Sequence, residues 1–226
     1  MKTISAIICV YNEEKTIKDV ASKVCDYFFD EVIVVNDGST DKTDDILNEL
    51  SKICDFKYIK FEENKGKGFA MATGIENANG EIIVFVDADL SNLKEDHLFE
   101  LAMPLVHKKA DMILGQATET LIDYSVNPFK SFTGERSVFK KDMLPIVDKI
   151  KHSRFGVETL INLYYQAEGK KVKYVMLDGL KHPTKFDKVS KQQAIKEFVK
   201  EGHEIALTAF KNFDLITGSI KKKLKL

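Results

Sequence analysis

Two aspartates separated by one residue, Asp87-Ala88-Asp89, close the apolar run Ile82-Ile83-Val84-Phe85-Val86. On an extended backbone positions i and i+2 share a face, so both carboxylates address one spot. Two anions that converge repel each other unless a cation sits between them, and hard carboxylate oxygens favour Mg2+ or Mn2+. Magnesium keeps coordination positions open for phosphate oxygens, so the pair reads as half of a diphosphate clamp. So short a pattern is equally well a strand end whose solvated carboxylates cap the next helix. An aspartate-based phosphatase also uses Asp-x-Asp, but its pattern expects Thr or Val two residues later, where this chain has Leu90-Ser91.

Two further segments carry chemistry. In Asn36-Asp37-Gly38-Ser39-Thr40-Asp41 a strand stops at a carboxylate, Gly38 permits a tight turn, and Thr40 or Asp41 can cap a helix. A carboxylate fixed at such a strand end also accepts hydrogen bonds from a base imide or ribose hydroxyls. In Asn64-Lys65-Gly66-Lys67-Gly68 a Gly-Lys-Gly turn opens a helix, where backbone N–H groups and a lysine suit a phosphate. Neither a Walker A spacing nor a Gly-x-Gly-x-x-Gly after a strand is present, which removes the main support for a P-loop enzyme or a dinucleotide oxidoreductase. No Gly-x-Gly-x-Arg loop follows the first strand, against a sugar-nucleotide pyrophosphorylase.

The elements that must position these residues are legible from periodicity. Near-continuous apolar runs at 4–10, 32–35, 56–61 and 82–86 predict strands covered on both faces, and amphipathic stretches at 14–26, 43–54 and 68–78 predict helices between them. Repeated βα units give a mostly parallel sheet with right-handed crossovers, whose ligands gather at the C-terminal strand ends. Farther on, the pattern predicts a helix over 95–109, a strand over 112–115, loops over 118–133, helices over 142–151 and 157–169, and a strand over 173–177. From Ser190 a three-or-four spacing of apolar residues predicts one long amphipathic helix or two.

Composition agrees with a folded globular chain: 226 residues, 44% hydrophobic and 31% charged, with 4 Pro and 12 Gly. The longest apolar runs fall far short of the roughly 18 residues a membrane span needs. With no leader pattern at Met1-Lys2-Thr3, a cytoplasmic location is expected. The three cysteines, Cys9, Cys25 and Cys54, lack Cys-x-x-Cys spacing and read as buried thiols. Net charge is −1, yet from Lys181 onward 11 lysines face 5 acidic residues, whereas 23 basic residues face 30 acidic ones before it. An acidic body argues against nucleic acid; a basic tail suits an anionic membrane surface or a phosphorylated acceptor.

Taken together, Tyr11-Asn12-Glu13, Asp37-Gly38-Ser39, Lys65-Gly66-Lys67-Gly68 and Val86-Asp87-Ala88-Asp89-Leu90 resemble, in order and spacing, the GT-A fold glycosyltransferases of the family-two type. Within that group Gly66 to Leu90, Thr133-Gly134-Glu135, Phe155-Gly156-Val157-Glu158 and Gly179-Leu180-Lys181-His182 look most like the glucosyl-3-phosphoglycerate synthases, with the dolichol-phosphate mannosyltransferases next. The resemblance covers roughly residues 4–190. It implies an α/β GT-A (Rossmann-like) domain at 1–190, flanked by helices, followed by a C-terminal basic amphipathic helical extension at 191–226.

The resemblance also implies roles. Tyr11, Glu13 and Asp37 would hold base and ribose, with Lys67 near the diphosphate; Asp87 and Asp89 match the metal motif for Mg2+ or Mn2+, Asp89 as the direct ligand and Asp87 also facing the nucleotide sugar. His182 matches a third metal ligand. Glu158 falls where family members place an acidic residue near the acceptor, as general base towards a hydroxyl or as an orienting group for an already ionised phosphate. Arg136 and Lys140 are candidates to bind an anionic acceptor, since guanidinium forks onto phosphate oxygens. The chain has no Trp, so the Gln-x-x-Arg-Trp motif of processive polysaccharide synthases is absent. In the tail, Ile216, Ile220, Leu224 and Leu226 among Lys221, Lys222, Lys223 and Lys225 suit an interfacial helix. The expectation is a metal-dependent transferase moving one hexose from a nucleotide sugar, UDP-linked in preference to GDP-linked, to a small phosphorylated or lipid-phosphate acceptor, with peripheral contact at the inner membrane face. The alternative is a catalytically silent nucleotide-sugar binding module.

Overall fold

In a computed structural model of the chain, the described residues are 2–119, 133–153 and 156–181, with 202–203, 206–208 and 210–217. The elements run β1 (Ile4–Val10), α1 (Ile17–Asp26), β2 (Glu31–Asn36), α2 (Thr43–Leu50), β3 (Lys57–Lys60), α3 (Lys67–Asn77) and β4 (Ile82–Asp87). There follow α4 (Glu95–Val106), β5 (Met112–Glu119), β6 (Arg136–Phe139), α5 (Lys140–Met143), a 3-10 turn (Leu144–Ile146), α6 (Val147–Lys151), α7 (Val157–Ala167) and β7 (Val172–Lys181). They build one seven-stranded sheet of order β3-β2-β1-β4-β6-β5-β7.

Strands β1 to β4 are mutually parallel where they pair, and β5 runs parallel to β7; β6 alone is antiparallel to both its neighbours. The mostly parallel GT-A arrangement expected from the sequence is the one found. Strand alternation sorts the core into two layers. Ile4, Ala6, Ile8 and Val10 of β1, with Ile82, Val84 and Val86 of β4, pack towards α1, α2 and α4. Ile7 of β1 and Ile83 and Phe85 of β4 pack towards α3, α6 and α7. Asp87 has the parity of Ile83 and Phe85, so β4 delivers its terminal carboxylate to the α3 and α7 face.

Three departures from the sequence pattern stand out. Residues 136–139 form a strand that periodicity did not reveal, because four residues beginning with a charge hold too little pattern. The single helix expected over 142–151 is divided by the 3-10 turn at Leu144–Ile146, where Pro145 lacks the N–H a continuous helix requires. The strand at 112 also extends to Glu119, into the stretch read as loop.

Candidate active site

The loops leaving β1 and β2 are stapled to each other. Asn12 donates its N–H to Ser39 Oγ at 3.0 Å and accepts the Thr40 N–H on Oδ1 at 2.8 Å, while Glu13 N–H reaches Thr43 Oγ1 at 2.9 Å. Tyr11 stands on this rim, 44% exposed. Asp37, by contrast, is buried, and its carboxylate accepts N–H groups from Lys65 at 2.7 Å and Gly66 at 2.9 Å and the Asn64 side-chain amide at 3.1 Å. The nucleotide contact implied for Asp37 therefore meets a carboxylate that already holds the turn 64–66 in place. That turn sets where α3 begins, and α3 begins with Lys67.

Lys67 is the centre of the site. Its ammonium lies 3.0 Å from Asp87 Oδ1 and 2.8 Å from Glu158 Oε1, with the three side chains between 11% and 26% exposed. Burial pushes the ammonium's pKa down, but the two carboxylates outweigh it and hold Lys67 well above the usual lysine value. Glu158 arrives from the first turn of α7, where a carboxylate also complements the helix dipole.

A fourth approach comes from β6. Phe85 pairs with Arg136, and in an antiparallel ladder two steps further set Asp87 opposite Gly134. A Cβ on Gly134 would fall 1.9 Å from Asp87 Oδ2. Only a glycine lets the carboxylate lie against the backbone there. Thr133 Oγ1 meanwhile donates to buried Glu135 at 2.7 Å. In the sequence Thr133-Gly134-Glu135 is a motif without a role, because the contact exists only where β6 runs antiparallel to β4.

Arg136 is fully buried, and Nη2 donates to Thr133 O while Nε and Nη1 have no hydrogen-bond partner among the described residues. Burial pushes its pKa down against the opposing pull of Glu158, Asp87 and Glu135. Arg136, a candidate to bind an anionic acceptor, thus lies inside the fold, where its guanidinium acts on the site's carboxylates. Lys140 lies outside the cluster altogether. It follows Phe139, which pairs with Ile82 at the opposite end of β4, and its ammonium donates to Ala78 O. Cys9, on the same sheet face, is a thiol kept well above its usual value by burial and by Asp87, Asp37 and Glu158, against the pull of Lys67, so it stays protonated.

Asp89 lies two residues beyond Asp87 and is half-buried. His182 lies outside the described residues; Lys181, the residue before it, exchanges backbone hydrogen bonds with Ser91 at 2.9 and 3.0 Å. Among the described residues no group of three or more His, Cys, Asp or Glu side chains converges as a metal cage. The donor set nonetheless fits a divalent ion shared with a substrate phosphate. Two cations, Lys67 and Arg136, stand against Asp87, Glu135 and Glu158, with Asp89 adjacent, so negative charge is in surplus and its oxygens are hard.

A family model described as Glycosyl transferase family 2 matches residues 5–177. The poly-beta-1,6-N-acetyl-D-glucosamine synthase of Staphylococcus epidermidis is 41% identical over 88 residues, 38% of this chain and 21% of that protein. The UDP-N-acetylglucosamine--dolichyl-phosphate N-acetylglucosaminyltransferase of Methanococcus voltae is 30% identical over 149 residues, 59% of this chain and 59% of that protein. The chain thus matches about a fifth and about three-fifths of the length of these relatives. Among solved structures, glucosyl-3-phosphoglycerate synthase from Mycobacterium tuberculosis, in complex with phosphoglyceric acid, is similar with a TM-score of 0.72 at 19% identity, over 96% of this chain and 80% of that one. Its complex with Mn2+, uridine diphosphate and phosphoglyceric acid gives 0.65 at 20% identity, over 88% and 78%. Likeness at that identity carries the fold.

Proposed function

The chain belongs to glycosyl transferase family 2, and we propose that it is a glycosyltransferase that moves a single hexose from a UDP-sugar to a small phosphorylated or lipid-phosphate acceptor. The observation that carries this reading is the convergence of Lys67, Asp87 and Glu158 at the mouth formed by the loops after β1, β2 and β4. Two relatives support the donor: the Methanococcus voltae enzyme is named for a UDP-sugar and a dolichyl phosphate, and the mycobacterial enzyme was crystallised with uridine diphosphate and a phosphorylated acid.

Tyr11 and Glu13 would face the base and ribose from the rim, and Lys67 the diphosphate. Asp87 and Asp89, with His182 as a third ligand, would hold Mg2+ or Mn2+, which when bound neutralises charge developing on the departing diphosphate. In the transfer the bond from the anomeric carbon to the donor phosphate oxygen breaks, with its electron pair leaving on that oxygen, and a bond from an acceptor oxygen forms. Where the acceptor is a hydroxyl, Glu158 takes its proton; where it is a phosphate monoester, with a second pKa of about 6, no proton needs removing and Glu158 orients the acceptor. The Lys67 ammonium, 2.8 Å from Glu158 Oε1, holds that carboxylate in place for either task. The basic tail supplies peripheral contact with an anionic inner leaflet, at which a lipid-borne acceptor would be met.

The test is release of nucleoside diphosphate from a panel of UDP- and GDP-sugars with Mn2+ and candidate acceptors. Asp89→Asn should lower turnover by at least about 100-fold, the scale of removing one electrostatic contact in a transition state. Undiminished turnover in that variant overturns the metal assignment. Glu158→Gln should cost about 100- to 10,000-fold with a hydroxyl acceptor and much less with a phosphate acceptor. Binding of uridine diphosphate without any turnover would leave the silent binding module instead.

A further inference from the structure

Away from the transfer site, the described helical residues 206–208, 210–211 and 213–217 pack Leu215 against the core yet leave other apolar side chains outside. Thr208 and Asn212 are buried at 7% and 8% exposure, whereas Leu207, Phe210 and Phe213 are 40%, 79% and 60% exposed. A helix on a soluble surface turns its apolar stripe inward, so an outward stripe with two phenylalanines marks a contact surface. Beside it opens a cavity of about 400 Å³, whose lining among the described residues includes Lys149, His152, Ser153, Thr208, Lys211 and Asn212 but no carboxylate. Leu207 borders both.

Among the described residues the cavity's Lys149 and His152 are little committed elsewhere. Lys149 has its nearest carboxylate, Asp214 Oδ2, at 3.9 Å, an exposed contact of small worth. His152 Nδ1 lies 2.8 Å from Asp148 O, which only accepts, so Nδ1 carries the proton and Nε2 is the atom left for another partner. Four lysines, Lys221, Lys222, Lys223 and Lys225, follow in sequence. A cationic, hydroxyl-bearing cavity next to exposed aromatic rings has the two features an anionic lipid surface requires: a place for headgroup phosphate and side chains to enter the acyl boundary.

We propose that Leu207, Phe210 and Phe213, with the Lys149, His152 and Lys211 cavity, form a docking face for an anionic bilayer, in which the cavity receives a headgroup phosphate. This deepens the peripheral contact ascribed above to the basic tail, since it assigns headgroup recognition to the folded body. Vesicle binding is read without donor or acceptor, so the docking face and the transferase reading fail separately.

The experiment is co-sedimentation of the full chain with phosphatidylcholine vesicles, with and without phosphatidylglycerol. The wild type should bind only the anionic vesicles. Lys149→Ala and Lys211→Ala should each weaken partition about fivefold, and Phe210→Ser with Phe213→Ser tenfold or more. Uridine diphosphate binding and the unfolding midpoint serve as checks that each variant is folded. If both pairs of substitutions leave vesicle binding intact while deletion of residues 218–226 abolishes it, the tail alone is responsible and the docking face is overturned. Absence of vesicle binding, with inorganic phosphate protecting His152 from chemical modification, also overturns it in favour of a soluble anion. So does a dimer in solution that Phe210→Ser dissociates, if that protein ignores vesicles.

Discussion

Gly134 has no room for a methyl group, because the Asp87 carboxylate occupies the place a Cβ would take. Gly134→Ala should therefore push Asp87 off Lys67, lowering transferase turnover at least 100-fold, the scale of misplacing a reacting group by about 1 Å. Overpacking should cost about 1–3 kcal/mol of stability besides. Turnover and urea unfolding measured on the same preparation check both; full activity would show that Asp87 is positioned by something other than β6. Lys67→Met is the complementary case. It leaves Asp87 and Glu158 as neighbouring, partly buried anions and should destabilise by about 1–3 kcal/mol, the cost of stranding a polar group. An unshifted unfolding midpoint would mean that the two carboxylates do not depend on the ammonium. Lys67→Arg should not restore activity, since a planar fork cannot replace a point charge held between two oxygens.

Helix α3 reaches the sheet through small residues. A Cβ on Gly74 would come within 2.6 Å of Ile7 Cγ2, so the helix sits closer to β1 than any larger residue allows. Gly74→Ala should destabilise the protein even though alanine is favoured over glycine in a helix by about 1 kcal/mol. Combination with Ile7→Ala, which removes the Cγ2 methyl that the added Cβ would meet, should recover part of the loss, and a double-mutant cycle by urea unfolding measures the coupling. Additive effects would place the clash elsewhere. Elements of this kind differ in how far the sequence discloses them. Strands β1, β2 and β4 are visible because a sheet covered on both faces demands unbroken apolar runs, and the carboxylates at their ends are visible because such runs stop abruptly. Strand β6 is invisible for the opposite reason: Arg136 and Ser137 look polar, and only burial between β4 and β5 makes them part of a sheet. The same blindness placed Lys140 beside Arg136, since nearness in sequence does not say that a strand will carry them to opposite ends of β4.

At the scale of the whole molecule, stability should depend on acid-sensitive ties between layers. Glu31 accepts Ser5 Oγ at 2.5 Å and the Asn79 N–H and side-chain amide at 2.8 Å each, joining β1, β2 and the chain before β4. Burial raises its pKa, but these donors outweigh it and hold it below the usual glutamate value. Asp44 is held below the aspartate range by the Tyr58 hydroxyl at 2.5 Å and Lys60 at 2.9 Å. Both folded values lie under the unfolded ones, so in that window the unfolded chain binds more protons and stability rises with pH. The contribution is complete above about pH 5 and is lost as pH falls through the folded values. The thermal midpoint should be level from about pH 5 to 7 and drop below about pH 4, less steeply in Glu31→Gln. A midpoint that climbs on acidification would contradict the sign.

A strand greasy on both sides carries little information about its own alignment. Shifting β4 by one residue would exchange Ile82, Val84 and Val86 for Ile83 and Phe85 at modest cost in apolar burial, because both layers accept aliphatic side chains. What forbids the shift is polar: Asp87 would turn from Lys67 towards the helices of the other layer and strand a charge in hydrocarbon. The carboxylate expected to serve chemistry is thus also the marker that tells the central strand where to stop, and a chain that folds out of step cannot persist as a sound but idle molecule.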